Sequence, residues 1–194
     1  MKIIIATKNE GKVREFRNLL TPLGYEPVSL KDEGIDAEID EDGETFEENA
    51  HIKAREIHRL TGLPVIADDS GLEVEFLGGA PGIYSARYAG EGATDEERNQ
   101  KLLDEMQGVD LPLRNARFVC ALYCILDGKR EYCVTGTLDG FIGEEPKGGH
   151  GFGYDPIFMI DGDTSLAELD EEEKNKISHR ANAMKKLLDA LKNE

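Results

Sequence analysis

The chain has 194 residues, of which 39% are hydrophobic and 32% charged, and it carries a formal net charge of −17. That length fits one domain able to bury about 70% of its unfolded surface, and the composition excludes a disordered or fibrous chain. The acidity, without any run of Lys or Arg, weighs against a nucleic-acid partner, because such proteins display a basic stripe. The opening Met1 to Ala6 holds an apolar run too short for a signal peptide or a membrane span. The expectation is therefore a cytoplasmic protein, and Lys2 to Ala6 reads as a buried strand. Thr7-Lys8-Asn9-Glu10-Gly11-Lys12 is a polar loop, followed by a helix with Val13, Phe16 and Leu20 on one stripe. Tyr25 to Leu30 reads as a second strand and Asp32 to Glu48 as an acidic, solvated loop. Thr45 with Glu48 forms a capping-box pattern, opening a helix through Phe46, Ala50, Ala54 and Ile57 to a stop near Gly62. Leu63 to Ala67 reads as a short buried strand that stops at Asp68 and Asp69. A bend at Gly71 and a further short strand, Leu72 to Phe76, then follow.

Leu77 to Gly82 is a loop, and Thr94 with Glu97 caps a helix carrying Leu102, Leu103 and Met106. Ala116 to Leu126 and Glu131 to Leu138 read as strands around Asp127-Gly128, a strong hairpin signal. A glycine-rich loop from Lys147 to Gly153 leads into Tyr154-Asp155-Pro156. The last helix starts near Ser178 and carries Met184, Leu187, Leu188 and Leu191. Mixed strands and helices with one hairpin predict a single α/β domain with a mixed sheet. Cys120 and Cys124 fall on one strand about 13 Å apart, too far for a disulfide. With Cys133 they read as buried thiols in a reducing compartment.

Four places could carry chemistry. The strand-end acids Asp68 and Asp69 are of the type that holds a hard cation against phosphate, yet neighbours on extended backbone point to opposite faces and so have separate jobs. The Thr7 to Lys12 loop offers helix N-terminal N–H groups and a lysine to an anion. It is not a P-loop, since the first glycine is missing and Val13 stands where Ser or Thr is required. The Gly148-Gly149-His150-Gly151-Phe152-Gly153 loop allows close backbone approach, with Phe152 and Tyr154 as stacking faces for a base. Ser178-His179-Arg180 puts cations at a helix start, against the macrodipole, which favours an anionic or electron-rich ligand there. His51 and His58 share a helix face without metal-ligand spacing, and His150 decorates its loop.

Taken together and in order, Thr7-x-Asn9-x-x-Lys12, Gly43-x-Thr45-Phe46-x-x-Asn49-Ala50, Ala67-Asp68-Asp69-Ser70-Gly71, Gly79-x-Pro81-Gly82-x-x-Ser85-Ala86-Arg87, Gly151-Phe152-Gly153-Tyr154-Asp155-Pro156 and Ser178-His179-Arg180 resemble the inosine triphosphate pyrophosphatase (Ham1-like) family nearly end to end. The resemblance implies an elongated, two-lobed α/β fold with a mixed central sheet, flanking helices and a cleft between the lobes. It implies a homodimer, and the net charge and the short apolar opening run give the expectation of no stable nucleic-acid or membrane partner. It also implies Mg²⁺-dependent hydrolysis of ITP, dITP and XTP to the monophosphate and pyrophosphate. Carried onto this chain, the loop Thr7, Lys8, Asn9, Glu10, Gly11 and Lys12 would hold the triphosphate. Glu41 and Asp69 would hold Mg²⁺, with Asp40 and Asp42 competing for the place given to Glu41. Asp69 is also the expected proton acceptor, Lys12 the stabiliser of developing charge, and Ser70 a substrate contact. Phe152, Gly153, Tyr154 and Asp155 would form the base pocket with Lys174, His179 and Arg180. Two alternatives remain: a Maf-like pyrophosphatase with another base preference, and a nucleotide-binding module without catalysis. His150 stands where many relatives carry glycine.

Overall fold

A computed structural model describes residues 1–192. Strand β1 (Lys2–Ile5) is followed by helix α1 (Glu10–Leu20), strand β2 (Glu26–Ser29), helix α2 (Phe46–Thr61) and strand β3 (Val65–Val74). Then come helix α3 (Asp95–Glu105), strands β4 (Asn115–Ile125) and β5 (Glu131–Ile142), the short β6 (Phe158–Met159), and helices α4 (Glu171–Ile177) and α5 (His179–Lys192). The strands make one sheet in the order β2-β1-β3-β4-β5-β6. β1 is parallel to β2 and to β3, while β5 and β6 are antiparallel, so the sheet is mixed as expected. The parallel pairs follow from the helical crossovers α1 and α2, which parallel neighbours require.

The chain forms two compact units, Met1–Asp69 with Cys120–Gly136 and the segment from His179 onward, and Ser70–Val119 with Thr137–Ser178. In the first unit the strands are buried on both faces, as parallel strands are. Ile3, Ile5 and Ile66 join Val13, Phe16 and Leu20 of α1 and Met184 and Leu187 of α5 in one apolar cluster. Ile4, Val65 and Ala67 join Ala54 and Ile57 of α2 in another. Each of the larger side chains stabilises the fold by roughly 1.5–3 kcal/mol on burial. The alternation matters for the site, because it continues past Ala67: Asp68 falls on the α1–α5 face and Asp69 on the α2 face. The second unit closes around Leu72, Val74, Leu102, Met106, Phe118, Ile142, Tyr154 and Phe158. Buried Arg114 stitches it by donating to the carbonyls of Met106, Ile142 and Gly143.

Several local expectations change. The strand does not stop at the acids, since β3 runs unbroken from Val65 to Val74 and absorbs the separate strand expected from Leu72. Gly71 takes no left-handed turn, and the carboxylates survive inside a strand because cations meet them. Helix α4 intervenes before α5, so Lys174 and Lys176 lie on a helix of their own, capped by Asp170. The Thr94–Glu97 capping box is complete. At Thr45 only half forms: Thr45 Oγ1 accepts the Glu48 N–H at 3.1 Å, but the Glu48 carboxylate accepts from Glu44 N–H at 2.7 Å. Cys120 and Cys124 are buried free thiols, the latter's pKa pushed up to about 12 by burial, whereas Cys133 is exposed. Among the described residues, no helix is long and apolar enough to cross a membrane.

Candidate active site

The two acids of β3 have different surroundings. Asp68 is 1% exposed, and its Oδ2 lies 2.9 Å from Lys12 Nζ and 3.3 Å from Arg180 Nε. Arg180 is itself buried and holds Glu15 of α1 at 2.7 Å. Burial opposes ionisation of Asp68, but the fields of Lys12, Arg180 and Lys53 outweigh it and hold this carboxyl far below the usual range. Arg180 is held firmly protonated: burial lowers its pKa, while Glu15 and Asp68 raise it by more. The anions at the start of α5 are therefore the protein's own carboxylates, which answers the expectation of a ligand charge there. Among the described residues Asp68 Oδ1 is buried without a hydrogen-bond partner.

Asp69 meets helix α2 instead. Its Oδ2 accepts from Asn49 Nδ2 at 3.2 Å and its Oδ1 lies 3.3 Å from Lys53 Nζ. Lys53 also holds Glu41 Oε2 at 2.5 Å. Among the described residues neither Asp40 nor Asp42 has such a contact, so Glu41 is the acid that shares a cation with Asp69. Burial raises the Asp69 pKa, with Lys53 and Lys12 pulling it back and Glu41 and Asp68 adding to the rise. Lys53 is buried, which lowers its pKa, yet Asp69, Asp68 and Glu41 raise it on balance, so it stays charged. The loop bearing Glu41 is fixed at Gly43, whose N–H donates to Asn49 Oδ1 at 2.9 Å. A Cβ at Gly43 would lie 2.7 Å from Glu48 Cβ and 2.8 Å from Asn49 Oδ1, so only glycine permits this approach.

Lys12 reaches Asp68 from the first turn of α1. Asn9 caps that helix, its Oδ1 accepting the Lys12 N–H at 3.0 Å, and its own N–H donates to Thr7 Oγ1 at 3.2 Å. Lys8 is exposed and pairs with Asp36 at 3.2 Å, and Glu10 lies 3.7 Å from Lys31. Beside the loop lies a hollow of about 390 Å³, lined by Thr7, Lys8, Glu10 and, opposite, by Ser29, Lys31 and Asp36.

In the second unit the glycine-rich loop is pinned through its backbone. Asp155 is 2% exposed; its Oδ2 accepts the Phe152 N–H at 2.9 Å and takes Lys174 Nζ at 2.5 Å. The loop passes so close that a Cβ at Gly151, where φ is +78°, would stand 2.1 Å from that oxygen. Lys174 Nζ sits 4.6 Å from the Phe152 ring centroid. Phe152 is half-buried. Tyr154 is buried in the core of the second unit, and its hydroxyl donates to Ser85 C=O at 2.8 Å. His150 is exposed and Ser70 half-buried; His179, at the start of α5, is buried.

The Ham1 family model matches residues 3–190. This chain belongs to the Ham1 family. Its relatives include a dITP/XTP pyrophosphatase of Bacillus licheniformis, 57% identical over 96% of this chain and 95% of the relative. A Bacillus subtilis dITP/XTP pyrophosphatase is 52% identical over 95% of this chain and 93% of its own. The solved HAM1 protein of Coxiella burnetii superposes with a TM-score of 0.87 at 41% identity, each chain covered completely.

Residue-by-residue reading of the sequence passed over Lys53, Glu15 and the role of Asn49. A signal for two of them was present. The buried stripe of α2 is Phe46, Asn49, Ala50, Lys53, Ala54 and Ile57, so an amide and a lysine, four residues apart, interrupt an apolar helical face. Polar groups on such a face need partners nearby. Glu15, beside Phe16 on α1, gave a similar hint.

Proposed function

We propose that the protein hydrolyses the deaminated purine nucleoside triphosphates ITP, dITP and XTP to the monophosphate and pyrophosphate, with Mg²⁺ as cofactor. The observation that carries this reading is the cluster of Glu41, Asp69, Lys53, Lys12 and Asp68 in a member of a family whose relatives are named dITP/XTP pyrophosphatases. The donor set suits Mg²⁺. Two carboxylates, Glu41 and Asp69, both meet the Lys53 ammonium, and among the described residues no group of three or more His, Cys, Asp or Glu is placed to hold a metal ion. Mg²⁺ favours such sites, with one or two carboxylates and the rest of its shell from water and substrate phosphates. When bound, it would supply charge neutralisation on the phosphate oxygens and the pyrophosphate leaving group.

The chain's own groups do the rest. Asp69 is held on one oxygen by Asn49 and on the other by Lys53, and its raised proton affinity suits it to accept a proton from the attacking water. Lys12, held by Asp68, offers an ammonium to charge spreading over the α-phosphate and leaving group. The capped N-terminus of α1, with Thr7, Asn9 and Gly11, lends partial positive charge to the triphosphate. Lys8 and Glu10 form the rim of this loop, and Ser70 follows Asp69 as a substrate contact. In the second unit Phe152 is the stacking platform and Lys174 the cation beside it, with Gly153, Tyr154 and Asp155 shaping the loop. His179 and Arg180 complete the set, Arg180 through Asp68. Inosine and xanthosine carry a 6-oxo group where adenine carries an amino group. Donors aimed at that oxygen lose their bonds to adenine, and each unpaired donor costs about 1–3 kcal/mol.

A homodimer working in the cytoplasm is the form this reading entails, and sedimentation equilibrium tests the dimer. Incubation with Mg²⁺ and a panel of ITP, XTP, dITP, GTP and ATP tests the activity. IMP and pyrophosphate from ITP, with little product from ATP, are expected. Orthophosphate as the sole inorganic product would move cleavage to the γ-phosphate and overturn the mechanism. Chelation with EDTA should stop turnover, and added Mg²⁺ should restore it.

A further inference from the structure

The Phe152–Asp155 loop is held by more than its own residues. Gly153 stands at φ +65°, in the left-handed region open to glycine. Its N–H donates to Asp95 Oδ2 at 2.6 Å, and its C=O accepts from Asn99 Nδ2 at 3.1 Å. Both acceptor and donor come from helix α3, one turn apart. The peptide units before and after Gly153 are thus gripped by a single rigid element. Asp95 is fixed in turn by Arg98, which donates to the carbonyls of Ala86 and Ala93. The Thr94 capping box anchors the start of the helix. Phe152 N–H is already committed to Asp155, and Phe152 C=O accepts from Asp155 N–H at 3.3 Å. The loop's main chain is therefore spent on fixing the loop, which leaves side chains to meet a ligand.

Asn99 makes little sense as a helix-packing residue. It is 5% exposed and shares the buried positions of α3 with Leu102, and its Oδ1 is buried without a hydrogen-bond partner among the described residues. Such an unpaired buried oxygen costs stability that an apolar side chain of similar volume would not lose. What the amide provides here is its bond to Gly153.

We propose that Asp95 and Asn99 are positioning residues for base recognition, gripping the peptide units on either side of Gly153 and so fixing the angle of the Phe152 ring against which the purine stacks. This rests on Phe152 being the base platform. Asp95 binds Arg98 and Gly153, and Asn99 binds Gly153, so the effect of removing them falls on binding of the base and on discrimination between bases. A platform that rocks binds 6-oxo and 6-amino purines more nearly alike, and it weakens ground state and transition state together.

The test measures kcat and KM for ITP and ATP, the inhibition constant of inorganic tripolyphosphate (which has no base) and the melting temperature. The variants are Asn99→Ala, Asn99→Leu, Asp95→Ala and Asp95→Asn, with Phe152→Ala as reference. Asn99→Ala and Asp95→Ala are each expected to raise KM for ITP about tenfold, the worth of one hydrogen bond, while kcat changes less than about threefold. The ITP-to-ATP preference should fall, and inhibition by tripolyphosphate should stay unchanged. Asp95→Asn, which keeps an acceptor for the Gly153 N–H, should recover most of the loss. Asn99→Leu should melt no lower than the native protein yet show the same kinetic defect. Native KM and preference in Asn99→Ala and Asp95→Ala, with a clear defect in Phe152→Ala, would overturn the clamp and leave the base platform standing. A native Phe152→Ala would overturn both. Parallel loss of ITP turnover, tripolyphosphate inhibition and melting temperature would mean destabilisation alone and would also overturn the proposal.

Discussion

Asp68 and Asp69 are adjacent in sequence, chemically identical and both on β3, yet the two faces of the strand treat them in opposite ways. Asp68 faces α1 and α5 and sits between two cations, Lys12 and Arg180, with Glu15 balancing the arginine. It is deep and held ionised by those cations well into acid. Asp69 faces α2, shares Lys53 with a second carboxylate, Glu41, and has a raised proton affinity. It is partly accessible and chemically poised. The difference teaches that two cations closing on a buried carboxylate hold it ionised, while burial beside a cation shared with a second carboxylate raises its proton affinity.

The largest expected effect lies on the poised face. Asp69→Asn keeps the shape and removes the proposed proton acceptor and its charge, so kcat/KM for ITP should fall by about 10³-fold or more; activity within tenfold of native would end the assignment of Asp69. On the other face the loss should appear as stability. Asp68→Asn leaves Arg180 and Lys12 short of a buried counter-charge, and urea melts at pH 7 should show a deficit of about 3–5 kcal/mol. That figure exceeds what Asp69→Asn does to stability, while the order reverses for turnover. If the two variants ranked the same way in both measurements, the contrast between the faces would fail.

The pH dependence of stability sharpens this. The Asp68 carboxyl has a folded pKa below its ordinary 3.8, so its contribution is complete above that value and is lost as pH falls below it. The stability gap between native protein and Asp68→Asn should therefore be constant from about pH 5 upward and shrink below about pH 4. A gap that widened in acid would carry the wrong sign. Next in size is Lys53→Met. The ammonium lowers the Asp69 pKa, so its removal should move the acid limb of the pH–rate profile upward by about one pH unit. The smallest effect belongs to Glu15→Gln, which keeps a hydrogen-bond acceptor for Arg180 while removing its charge. It should cost about 1–3 kcal/mol of stability and little activity.

Much of this was legible in the linear chain. The period of Val13, Phe16 and Leu20 placed α1, Thr45 and Gly62 bracketed α2, and Thr94 with Glu97 opened α3 where the capping geometry is found. Those signals are local: a side chain caps a backbone group three residues away, or a stripe repeats every turn. The even alternation of β3 also assigned its two acids to separate faces. What failed was the end of that strand. Local preference says that two Asp residues and a glycine stop a strand, but Lys12, Arg180 and Lys53, brought from α1, α5 and α2, stabilise the carboxylates in place. Tyr154 was undecided for a related reason, since its ring looks equally fit for stacking or for the core until Ser85 C=O claims its hydroxyl.

By itself, then, the sequence determined α1, α2, α3 and α5, the mixed sheet and the ordered set of motifs that belongs to the Ham1 family, because backbone capping, side-chain periodicity and motif order act along the chain. Which acid pairs with Asp69, which charge Arg180 answers and what holds Gly153 were decided only by the tertiary structure. Those choices depend on fields and hydrogen bonds between groups up to 165 residues apart. Electrostatic energy falls with distance in space, and chain order does not record that distance.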